Sequence, residues 1–183
     1  MFDLYDGSGK YYFQPRIPHE LYWIAISIIV IVFMLLVLKS KPPQRIIRTV
    51  SLSVLIISFL LLYCSTVVFR SVNVETGLYL TPFWSYAAIM NGKEQLILEN
   101  ALNIVVFIPF GILCGFVFYQ PSMSKAVIVG FVFSLIIEVS QFLFSRGVAE
   151  VDDIMHNTLG CVIGYLLWLS IKKIIRYSMS LYR

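Results

Sequence analysis

The chain has 183 residues, 59% of them hydrophobic and 13% charged, with a net charge of +4 and a mean hydropathy of +0.85. A soluble domain needs far more polar surface than this to cover itself, so composition excludes an ordinary globular protein and points to a chain dissolved in lipid. The positive charge is dispersed along the sequence and does not form one basic patch, so it fits anionic lipid and no nucleic-acid surface is expected.

A bilayer core of roughly 30 Å takes about 20 apolar residues in a helix. Five stretches qualify, at 21–38, 46–69, 101–119, 126–144 and 158–175, and they predict an all-α polytopic membrane protein. The acidic, aromatic segment 1–20 precedes them and lacks the basic start of a signal peptide. Its Tyr5, Tyr11, Tyr12 and Phe13 suit a membrane–water interface. The first two helices, within 21–69, read as plain apolar support. The third contains Pro109 and Gly111, and the fourth carries Glu138 and Gln141, so these two differ in kind.

Cytoplasmic loops retain Lys and Arg. With the amino terminus outside, Lys39, Lys41, Arg45, Arg48, Lys125, Lys172, Lys173, Arg176 and Arg183 all fall inside, with no acidic residue among them. The expected topology is therefore amino terminus out and carboxyl terminus in. Cys64, Cys114 and Cys161 lie within apolar helices without CxxC spacing and read as free, buried thiols.

In that orientation the unusual polar residues share one membrane depth. Glu99, Asn100 and Asn103 open the third helix, while Glu138 and Gln141 lie in the outer half of the fourth. Arg146, Glu150, Asp152 and Asp153 fall in an outer loop, and Asn157 opens the fifth helix. Steps of three and four align Asn100, Asn103, Phe107 and Gly111 on one stripe. A second stripe runs from Asp153 and Asn157 to Gly160, Cys161 and Gly164, where GxxxG spacing permits close helix approach.

Glu138 sits about 9 Å below the end of its helix and needs a proton, a cationic partner such as Arg70 or Arg146, or a wet cavity. Pro109 cannot donate to the carbonyl of Val105, which leaves two readings: a bend that opens a recess beneath Asn100 and Asn103, or a proline that serves helix shape alone. Plainer roles stand beside the functional ones elsewhere too. Asp152 or Asp153 can cap the fifth helix, Asn100 the third, and Arg70 and Arg146 can anchor at the interface.

The order and spacing of several segments resemble the VanZ-like family: residues 80–84 (LTPFW), 99–111 (ENALNIVVFIPFG), 138–141 (EVSQ) and 146–160 (RGVAEVDDIMHNTLG). The resemblance runs from about Arg70 to Gly164 and divides the chain into residues 1–20, 21–69, a core at 70–164, and a basic tail at 165–183. It implies a multi-pass protein of a Gram-positive bacterial cell membrane, linked to resistance to teicoplanin and related glycopeptides. It directs attention to Arg70, Asn100, Asn103, Glu138, Gln141, Arg146, Asp152, Asp153 and Asn157, with Pro109, Gly111 and Gly160. Glu150 stands where the family commonly has Asp, and His156 where it has an apolar or variable residue.

These residues predict an outer-leaflet polar pocket for a membrane lipid or lipid-linked envelope precursor. The pocket set is Arg70, Asn100, Asn103, Glu138, Gln141, Arg146, Glu150, Asp152, Asp153 and Asn157, with Pro109, Gly111, Gly160 and Gly164 in structural roles. No metal and no cofactor are expected. An intramembrane enzyme that modifies or hydrolyses such a lipid is the alternative, although no GxSxG, HExxH or Cys–His motif is present. A lipid transporter is a third reading, and homo-oligomerisation is left open.

Overall fold

The computed structural model describes residues 26, 28–30, 32–33, 36, 43–70, 77–118 and 120–181. Helix α1 spans Gln44–Tyr63 and continues as a π-helical turn over Cys64–Val68. A two-residue strand β1, Leu78–Tyr79, is followed by the short helix α2, Trp84–Met90, and by α3, Gln95–Val117. Helix α4 covers Met123–Leu143, strand β2 Ala149–Glu150, and α5 Val151–Leu181. Among the described residues four helices are long and apolar enough to cross a membrane: Gln44–Val68, Gln95–Val117, Met123–Leu143 and Val151–Lys173. The chain is an all-α polytopic membrane protein.

The helix expected at 21–38 lies largely outside the described residues. Where it is described it is helical, and Ile26, Val30 and Phe33 are buried in the common core. Phe33 meets Phe116 of α3 edge-on at 5.8 Å. Segment 1–20 lies outside the described residues altogether.

Two expected boundaries are corrected. The third helix was expected from residue 101 and begins at Gln95; the fifth was expected from 158 and begins at Val151. Both start with polar residues that end an apolar run in the sequence but do not end a helix in space. Asn100 is therefore inside α3 and caps nothing at its start, while Asp152 and Asp153 form the first turn of α5. The expected outer loop shrinks to a tight connection that carries β2. That strand pairs in parallel with β1, Leu78 opposite Ala149 and Tyr79 opposite Glu150.

Helices α3 and α5 make the most extensive contact in the bundle, followed by α4 with α5. Glycine is the cause. A Cβ on Gly160 would collide with the Ile104 carbonyl, one on Gly164 with that of Ile108, and one on Gly111 with that of Cys161. Without those carbons the two backbones close to contact, the arrangement expected of small residues between membrane helices. Gly130 brings α4 equally near Cys161 and Thr158. Phe107, Phe110, Leu113, Cys114 and Cys161 fill the centre. Pro109 is buried in α3, which runs through it without interruption. Cys64, Cys114 and Cys161 are unbridged.

The outer faces are apolar. Ile56, Ile57 and Leu60 on α1, Leu135, Ile136 and Val139 on α4, and Leu166 and Leu167 on α5 are all exposed, as helices facing lipid require. At one end of the bundle basic residues meet helix ends: Arg48 donates to the Val117 carbonyl at 3.1 Å, and Lys125 to that of Gln120 at 2.6 Å. The polar residues singled out in the sequence gather at the other end.

Candidate functional site

At that end the C-terminus of α1, the first turns of α3, the last turns of α4 and the start of α5 surround a cavity of about 620 Å³. Arg70 and Thr66 come from α1 and its end, and Glu99, Asn100, Asn103, Val106 and Phe107 from α3. Glu138 and Gln141 come from α4, Glu150 from β2, and Asp153 and Asn157 from α5. Of the expected pocket residues, Arg70, Asn100, Asn103, Glu138, Gln141, Glu150, Asp153 and Asn157 are thus brought together.

Hydrogen bonds between elements hold this wall in shape. Asn103 Nδ2 donates to Asp153 Oδ1 at 2.7 Å and ties α3 to α5. Asn157 Nδ2 donates to Ser134 Oγ at 2.8 Å and ties α5 to α4. Gln141 Nε2 donates to the Thr66 carbonyl at 3.3 Å, within the π-helical turn of α1. The Glu150 amide donates to Glu138 Oε2 at 3.0 Å, which fixes β2 above α4. The Asn157–Ser134 bond is buried and the others are partly buried, and in such sites a lost partner costs on the order of 1–3 kcal/mol.

Glu138 is only 3% exposed. Of its expected remedies the structure supplies a cavity at its side, and the Arg70 guanidinium is near enough to attract it. Asp153 feels the same guanidinium. Arg70 itself lies against Gly147, where any Cβ would crowd its guanidinium.

Two expected residues go elsewhere. Arg146 does not line the cavity; its guanidinium donates to the Arg70 carbonyl and braces the end of α1. Asp152 is turned away toward α2. Its carboxylate accepts from the Phe83 amide at 2.6 Å, the Ser85 amide at 2.9 Å and the Ser85 hydroxyl at 2.5 Å. Asp152 is therefore a cap, as one plainer reading had it, but for α2 and not for its own helix. Phe83 has a left-handed backbone there, with φ of 64°. Asn100 Nδ2 completes the chain by donating to Ser85 Oγ at 3.1 Å. Beside it Tyr86 Oη and His156 Nε2 are 2.8 Å apart.

Glu150 lies outside the spans. Burial pushes its carboxyl up to about 7, Asp153 and Glu99 add to the rise, the nearby Trp84 side chain opposes it, and Asp152 adds a little more. The Trp84 indole N–H is close to Glu150 but outside hydrogen-bonding geometry, and it is buried without a partner among the described residues. Its ring stacks on Tyr79 at 4.5 Å.

Glu99 was visible as a polar residue but was not placed in the pocket set. Thr66, Ser85 and Ser134 were missed, because single hydroxyls in apolar helices commonly bond back to their own turn and carry no signal. Among the described residues no group of three or more His, Cys, Asp or Glu side chains is arranged to hold a metal ion.

The VanZ/LLP1 family matches residues 23–175. The chain belongs to the VanZ/LLP1 family. The match is wider than the 70–164 core read from the motifs and takes in most of the first expected helix. Protein VanZ of Enterococcus faecium is 32% identical over 94 residues, which make up 51% of this chain and 53% of that protein. The chain thus spans about half the length of this relative. No solved structure matches.

Proposed function

We propose that the cavity binds the polar headgroup of a membrane lipid or lipid-linked envelope precursor on the outer side of a Gram-positive cell membrane. By that binding the protein contributes to resistance to teicoplanin and related glycopeptides. The observation that carries the reading is a polar, ion-lined cavity at one end of a bundle whose outer faces are apolar. A headgroup can enter such a recess while its tails stay in lipid. Arg70 offers a planar guanidinium suited to phosphate oxygens, and the amides of Asn100, Asn103, Gln141 and Asn157 supply fixed donors and acceptors. Membership of the VanZ/LLP1 family supports the resistance part. The gathering of Arg48 and Lys125 at the opposite end supports an outward-facing cavity.

The test uses strains that express the chain with Glu138→Gln or Arg70→Ala at equal abundance. Teicoplanin susceptibility moves toward that of a strain lacking the protein. Resistance that stays at the parental level in both strains would remove the cavity from the account.

A further inference from the structure

The charge inside the cavity narrows the ligand. Among the described residues four carboxyl groups line it, from Glu99, Glu138, Glu150 and Asp153, against the single guanidinium of Arg70. A purely anionic headgroup would find one cationic partner and several acceptor oxygens in the described lining. Glu138 is almost wholly buried, yet among the described residues only its Oε2 receives a donor. Asp153 is alike, with Oδ1 engaged by Asn103 and Oδ2 by none of the described residues. Each therefore presents an acceptor oxygen to a ligand that brings N–H donors. Their open oxygens suit an ammonium, which brings its own N–H donors.

The lining also says which organic cation. Quaternary ammonium groups are held by aromatic cages, and among the described residues Phe107 is the one aromatic side chain in this lining. A primary ammonium makes charge-assisted hydrogen bonds to carboxylates and amide oxygens, which the cavity has in number. We infer that the cavity takes a ligand with a primary ammonium beside a phosphate ester, the ammonium between Glu138 and Asp153 and the phosphate at Arg70. This rests on the headgroup reading above and gives it a chemical class, aminoethyl phosphate. Burial first, and then the neighbouring carboxyls of Asp153 and Glu99, lift Glu150, and the second of these is the kind of repulsion a bound cation relieves.

The test is calorimetric titration of the purified full chain in detergent with three short-chain phospholipids of identical tails. Their headgroups are ethanolamine, choline and glycerol. The ethanolamine lipid binds about tenfold more tightly than either of the others, a difference of about 1.4 kcal/mol. In the isosteric double variant Glu138→Gln with Asp153→Asn, that preference falls to within about twofold, while glycerol-lipid binding is kept or improved. Free aminoethyl phosphate serves as a further probe, and binding of it with the same carboxyl dependence supports the chemistry while making the tails dispensable. Choline lipid that binds as well as ethanolamine lipid overturns the primary-ammonium assignment. Glycerol lipid that binds best, and weakens in Arg70→Ala, overturns it too while leaving the headgroup reading intact. If none of the three binds, the aminoethyl phosphate assignment falls, and the headgroup reading is confined to a lipid-linked envelope precursor. The headgroup series on the unaltered protein decides the matter even if a variant fails to fold.

Discussion

Helices α3 and α5 meet twice, in opposite ways. Along Gly111, Gly160 and Gly164 their backbones touch and nothing fits between them. A few residues nearer the other end, Asn103 and Asp153 bridge the same two helices through side chains, and a cavity lies beside the bridge. The seam is closed by removing side chains, and the site is kept open by residues too polar to collapse into an apolar contact. A rigid seam beneath a spacious mouth positions the polar groups without help from flexible loops.

The sharpest way to break this contrast is to fill the seam. Gly160→Leu or Gly164→Val must push the α3 backbone away, which costs more than the roughly 1–3 kcal/mol of ordinary overpacking. Loss of monodisperse protein on size-exclusion chromatography is the expected result, and near-normal thermal stability would refute the close approach. Next in size is Asp152→Ala, which strands the Phe83 and Ser85 amides. A loss on the order of 3 kcal/mol is expected from unfolding curves, with Asp152→Asn less severe.

The two arginines separate structure from binding. Arg70→Ala weakens phospholipid binding by about tenfold, whereas Arg146→Ala, off the cavity, changes it by less than about twofold in the same titration. Equal losses would mean that the division between wall and brace is false.

The smallest effect concerns pH. The folded Glu150 carboxyl titrates near 7, above its ordinary 4.5, so the native state holds that proton more tightly than the unfolded chain. Its contribution to stability is complete below pH 4.5 and is lost as pH rises through 7. Glu150→Gln therefore flattens the pH dependence of melting temperature over that window, modestly because the side chain is partly open to solvent. An unchanged slope would place the titration on another group.

Apolar runs made the long helices legible, and the stripes Asn100–Asn103–Phe107 and Asp153–Asn157–Gly160 followed from helical spacing. The helix starts did not follow, because Glu99 and Asp152 look like loop residues to any reading based on hydropathy. Arg146 joined the pocket set through its shared membrane depth and the family resemblance. Only the fold shows that it turns to the end of α1, since the direction of a long side chain after a helix end depends on packing. Helix α2 and the two-residue strands are too short to leave a periodic signal, and they exist because Asp152 and the β1–β2 pairing hold them.

The central claim is that a headgroup occupies the polar mouth. A phospholipid with a photoreactive group on its headgroup, added to the membrane-embedded protein and mapped by mass spectrometry, tests this most directly. Adducts on the peptide containing Asn100 and Asn103 and on that containing Glu138 and Gln141, suppressed by Arg70→Ala, are predicted. Adducts confined to the opposite end near Lys125, or spread evenly over exposed positions such as Ile128 and Leu166, would contradict it.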